Sequence, residues 1–167
     1  MLQLHSPVNS AAGEPASGKI KIGIYDSRAV AIAFTGSDAF KQWIDPIKAE
    51  NEKAKKAGDS ERLKKIDEQM RATQKLRHKQ AFSTAPVDDL LKYIEGSLAG
   101  IKQEAGVEAL VSKWDEPALQ PFKAAQRIDV TARLVEAFHP TERQRKSALE
   151  IQKHKPIPLA EAEKFSD

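Results

Sequence analysis

Isoleucines at 20, 22 and 24 alternate with Lys19, Lys21, Gly23 and Tyr25, a period of two that predicts a strand. Asp26 and Ser27 supply turn chemistry, and either can cap a helix over residues 28–34, in which Val30 and Phe34 stand four apart. Val30, Ile32 and Phe34 also alternate, so a continued strand competes, although the intervening alanines favour the helix. Beyond Ser37 and Asp38, either of which can act as a cap, Phe40, Trp43, Ile44 and Ile47 fall at i, i+3, i+4 and i+7, the stripe of an amphipathic helix. Pro46 lies inside that stripe and predicts either a kink or a restart.

From residue 48 the apolar pattern thins. Residues 48–56 are charged and Ala-rich, Gly58 offers a helix stop, and Asp59 or Ser60 a new cap. Leu63, Ile66, Met70 and Thr73 then recur at spacings of three, four and three up to about Gln80. That seam is narrower than the face of a core helix and matches a coiled-coil contact. The two segments predict a helical hairpin, an arm over about residues 46–82 that projects from the body.

The strongest helical face follows: Val87, Leu90, Leu91, Ile94, Leu98 and Ile101, opened by Thr84 and Pro86 and stopped by Gly106. Residues 107–114 read as a strand, 115–122 with Pro117 and Pro121 as a loop, and 124–130 as a third short strand. Asp129 or Thr131 caps a helix through Phe138, Pro140 breaks the chain, and Thr141 caps a last charged helix. The expected organisation is a Ser/Ala/Gly/Pro-rich disordered leader (1–18), a single domain (19–138) and a C-terminal helical tail (139–167) whose final residues are peripheral. The fold class is α+β, mostly helical, with a small β-body.

Charge sharpens this picture. Residues 48–80 carry eleven Lys or Arg against six Asp or Glu, whereas the whole 167-residue chain has a net charge of +3. A hairpin near +5 is therefore set on a body near −2. Candidate contacts with clients or anionic surfaces are Lys53, Lys55, Lys56, Arg62, Lys64, Lys65, Arg71 and Lys75. Nucleic acid is disfavoured as the partner, because no aromatic residue lies among those cations to stack on bases and six acids interrupt them. A solvated, mixed-charge helical pair needs no partner at all.

Chemistry is sparse. Without cysteine the chain has no disulfide, thiolate site or cysteine nucleophile. His5, His78, His139 and His154 lack ligand spacing, so neither metal nor cofactor is expected. Gly18 and Gly23 are read as flanking a strand and form no phosphate loop. Asp88 and Asp89 suit a helix first turn better than an acid–base pair. Turn and cap chemistry accounts for Asp26, Ser27 and Arg28, and body packing for Trp43 and Trp114. With no nucleophile, base and orienting group in view, an enzyme is not expected. No apolar run approaches the roughly 18 residues of a spanning helix.

Three stretches carry a resemblance: KIKIGIYDSR at 19–28, GVEALVSKW at 106–114 and IDVTARLVEAF at 128–138. Their order around a charged hairpin resembles the Skp/OmpH family of periplasmic chaperones over residues 19–138. The resemblance implies a homotrimer whose arms hold unfolded or outer-membrane proteins without ATP, in the periplasm or otherwise secreted. The arms here are shorter than the family pattern, the 115–126 connection is longer, and residues 139–167 are additional. A scaffolding coiled-coil oligomer of the envelope, and a binder of anionic membrane surfaces or nucleic acid, are the alternatives.

Overall fold

The computed structural model describes residues 19–164; the leader expected over 1–18 lies outside them. Strand β1 (Lys21–Tyr25) is central in a three-stranded sheet of order β2-β1-β3, with β2 at Ala109–Ser112 and β3 at Gln126–Asp129. Both pairings are parallel, Ile22 standing opposite Ala109 on one side and Arg127 on the other. Parallel neighbours require crossovers. The first contains α1 (Ser27–Thr35), α2 (Asp38–Ala57), α3 (Ser60–Phe82), α4 (Asp88–Leu91) and α5 (Glu95–Ala105); the second holds α6 (Glu116–Leu119) and a 3-10 turn at Gln120–Phe122. After β3 come α7 (Thr131–Ala137), α8 (Glu142–Ile151) and α9 (Leu159–Ala162). The fold is thus mostly helical α+β.

The alternation in β1 divides the core. Ile22 and Ile24 face a small cluster with Val111 and Leu119, closed by α6. On the other face Tyr25 joins Val30, Phe34, Leu90, Ile101, Val130 and Leu134 in the main core. Helices cover both faces, as a parallel sheet requires. Gly23 lies inside β1, not at its flank. A Cβ there would stand 2.8 Å from Leu110 Cδ2, 3.1 Å from Val130 Cγ2 and 3.2 Å from Val107 Cγ2, so this glycine permits close packing on the strand.

The helix reading of 28–34 holds. Asp26 is the N-cap of α1 and accepts from the Arg28 N–H at 3.1 Å. Ser37 caps α2, which runs unbroken past Pro46 to Gly58, where the chain takes the left-handed conformation (φ 67°) and Asp59 caps α3. The restart offered at Pro46 is thus absent, and two further expectations fail at prolines and turns. The 115–122 loop contains α6, because Asp115 accepts from the Ala118 N–H and Pro117 sits in a first turn that needs no N–H from it. The helix expected from Val87 to Ile101 is split by a 3-10 turn at Lys92–Ile94, which sets Tyr93 against Phe34 at a centroid distance of 5.0 Å.

Residues beyond 138, read from the pattern as a tail, complete the body. Ala148 of α8 is fully buried in the main core, and α8 packs on α1. The terminal segment is anchored as well: Ile157 bridges to Ser83, Ala162 is fully buried, and Glu163 pairs with Lys79. The residues fully buried in these contacts are the small Ala148 and Ala162.

A basic arm and the groove at its root

Helices α2 and α3 form the expected hairpin. Ile44 and Ala54 on one helix and Ile66 on the other are buried, with Ile47, Leu63 and Met70 half-buried. Between residues 48 and 69 only Ala54 and Ile66 are buried, so the distal arm is held by a single thin seam. All eight candidate cations are exposed. Three are engaged within the arm: Lys55 with Glu52 at 2.9 Å, Arg71 with Asp67 at 2.9 Å, and Arg62 with Glu50. The hydrogen bond to Glu50 raises the Arg62 pKa further above its ordinary value. Lys53, Lys56, Lys64, Lys65 and Lys75 make no ion pair among the described residues.

What the sequence did not show is where this charge leads. Along α3, Lys64, Glu68, Arg71, Lys75, His78 and Phe82 succeed one another at steps of four, three, four, three and four, which places them on one side of the helix. His78 and Phe82 line a groove of about 690 Å³ at the arm's root, between α2, α3 and α8 with α1 beneath. Its apolar wall comprises Ile32, Phe40, Trp43, Met70, Ala81 and Phe82. Arg77 and Arg143 supply the charged lining, with His78 beside them, and no Asp or Glu contributes. Arg77 pairs with Asp89 at 2.6 Å and lies 5.2 Å from the centre of the Phe34 ring. Arg143 is exposed and makes no ion pair among the described residues. Gln144 of the lining packs over Gly36, where a Cβ would collide with its side chain.

The carboxyl edge of the sheet, where open α/β folds bind ligands, is filled by the protein itself. Arg28 and Asp26, both 1% exposed, form a two-pronged ion pair, Nε to Oδ1 at 3.0 Å and Nη2 to Oδ2 at 2.7 Å. Arg28 Nη1 donates to the His154 carbonyl at 3.0 Å, and its guanidinium lies 5.3 Å from the centre of the Trp114 ring. Thr131 Oγ1 accepts from the Asp26 N–H. Across the strand ends Lys113 reaches Asp129 at 2.7 Å. Burial alone would raise the Asp129 pKa, but hydrogen bonds from Lys113 and Thr131 hold it below the ordinary carboxylate value. The cap reading of Asp26 was correct but incomplete, since it gave Arg28 no buried partner. Ser27 is fully buried and its Oγ has no hydrogen-bond partner among the described residues. This edge is a structural joint between β1, α1 and the segment at His154.

The remaining candidates separate. Asp89 binds Arg77 and Gln80, whereas the pKa of Tyr25 is raised by burial first and then by the charges of exposed Asp88 and of Asp115. Among the described residues no group of three or more His, Asp or Glu could hold a metal ion, and no helix is long and apolar enough to cross a membrane. No protein-family model matches the chain, and no match was found among curated proteins or solved structures.

Proposed function

We propose that the protein is a non-catalytic binding protein of the holdase type, which captures unfolded polypeptides of acidic character and needs no nucleotide to do so. One observation carries this reading: the exposed side of α3 that bears Lys64, Arg71 and Lys75, with Glu68 the one acid among them, leads into an apolar groove at the root of the arm. Cations on a projecting helix raise the encounter rate with acidic chains through long-range attraction. Apolar surface beside them then retains the non-native segments that expose aliphatic and aromatic side chains. The resemblance of its segment order to that of Skp/OmpH chaperones agrees with this role.

The test is light scattering from a chemically denatured acidic protein diluted into buffer, with and without this protein. Suppression of aggregation near stoichiometric ratios is expected, weakening as salt screens the arm. Replacing Lys53, Lys56, Lys64, Lys65 and Lys75 together by Gln should remove most of the effect. Unchanged aggregation at severalfold excess of the wild-type protein would overturn the proposal.

A further inference from the structure

The groove at the arm's root has the dimensions of a recognition site, and its chemistry selects an occupant. About 690 Å³ falls within the range of roughly 300–1,000 Å³ in which proteins seat ligands. It is an open trench: Phe82 is 46% exposed, and Thr35, Gln74, His78 and Arg143 on its lining are exposed as well. A small ligand in such a trench would keep much of its surface in water, whereas one face of an amphipathic helix can lie along it with its polar side outward. The charged lining is wholly basic, and the exposed Arg143 guanidinium is available to a carboxylate.

Resting on the holdase reading, we infer that this groove is the site where an amphipathic segment of the client docks, its apolar side chains against Trp43, Met70 and Phe82 and its acidic residues beside Arg143. Continuity with the arm supports the same occupant, because Lys75 and Arg71 extend the cationic surface one and two turns beyond His78. A segment leaving the groove in that direction passes directly onto the arm.

The probe is a dye-labelled synthetic peptide with Leu at i, i+3, i+4 and i+7 and Glu or Asp elsewhere, titrated with the full chain and followed by anisotropy and by Trp43 emission. The acidic peptide is expected to bind, and a version with Lys in place of its acids to bind at least about tenfold more weakly, the scale of an interfacial charge pair. Met70→Glu and Arg143→Glu should each weaken the acidic peptide by a similar factor. Arg143 is exposed, so its variant keeps the test decisive should Met70→Glu fail to fold. Equal binding of the acidic and basic peptides, or binding of dodecanoate but of neither peptide, would overturn the inference. If aggregation is suppressed yet the peptide does not bind, the groove inference fails and the holdase reading stands. If the peptide binds yet aggregation proceeds, the holdase reading fails and the groove stands as a peptide site.

Discussion

Arg28 holds Asp26, two residues before it, through two parallel hydrogen bonds of 3.0 and 2.7 Å in a setting that leaves each residue 1% exposed. The pair joins three parts of the chain, since Asp26 ends β1, Arg28 lies in α1, and the third arm of the guanidinium reaches the His154 carbonyl. Removing one member leaves a buried charge without its counter-ion, which costs about 3–5 kcal/mol. Arg28→Met is therefore expected to lower unfolding free energy by that order in urea denaturation, with Asp26→Asn costing less because the amide retains some of the hydrogen bonds. The double variant should be better tolerated than the sum of the two, and strict additivity would show that the pair is not coupled.

Tyr25 sets the alkaline limit. It is 5% exposed, and burial, followed by the nearby charges of Asp88 and Asp115, raises its pKa from 10.0 to about 12. Between those values the unfolded chain loses the phenolic proton while the folded chain keeps it, so stability falls as pH rises. The contribution is present in full below pH 10 and is lost as pH climbs towards 12, an effect of roughly 2–3 kcal/mol. Tyr25→Phe should flatten the decline in melting temperature across that window. A slope unchanged in the variant would assign it to other groups.

The division between what was readable from the chain and what was not follows physical lines. Period-two isoleucines, Asp26, Ser37 and Thr141 as caps, and Gly58 and Gly106 as stops are local signals, and the structure follows them. Parallel pairing is not local. Nothing in residues 21–25 states that residues 109–112 and 126–129 will flank them in the same direction. The body role of α8 was hidden because its buried residue is an alanine, which carries little apolar signal, with only Ile151 packed beside the core as well. For the candidate site, the arm's cations were legible as composition. The groove they lead into was not, because its lining joins α1, α2 and α3 to α8, which lies far along the chain.

At Gly23 the neighbouring side chains leave little room for a methyl group. The nearest contact of an added methyl would be 2.8 Å, to Leu110 Cδ2, with Val130 and Val107 behind it. Overfilling of this kind costs typically about 1–3 kcal/mol. Gly23→Ala should show that loss in chemical denaturation. Leu110→Ala in the same chain should recover part of it, because the closest obstructing atom belongs to that side chain. A stable single variant would mean that β1 and β2 can separate without cost.

Gln80, 1% exposed near the end of α3, is a polar residue used as core. Its amide nitrogen donates to the Pro86 carbonyl at 3.0 Å and to Asp89 at 2.7 Å, and its oxygen accepts from Arg77 at 2.6 Å. It thereby fixes the turn from the arm into α4. Gln80→Leu keeps similar bulk but strands these partners, at a cost of about 1–3 kcal/mol. The measured consequence should include faster hydrogen exchange at Ser83 and Ala85 than in the wild-type protein, because loosening of that turn exposes their N–H groups. Exchange confined to wild-type rates would show that Pro86 and Asp89 are held by other contacts.

The arm's unpaired lysines should behave oppositely to every residue above. Lys53, Lys56, Lys64, Lys65 and Lys75 are exposed and make no ion pair among the described residues, and surface changes away from specific contacts usually shift stability by about 0.5 kcal/mol or less. Their excess of like charge adds mild repulsion along the hairpin. Converting the five to Gln is therefore expected to leave the urea midpoint unchanged or slightly higher while abolishing the salt dependence of client capture. That combination separates a charge kept for binding from one kept for folding. A clear loss of stability in the five-Gln variant would instead place these lysines among the contacts that hold the hairpin together.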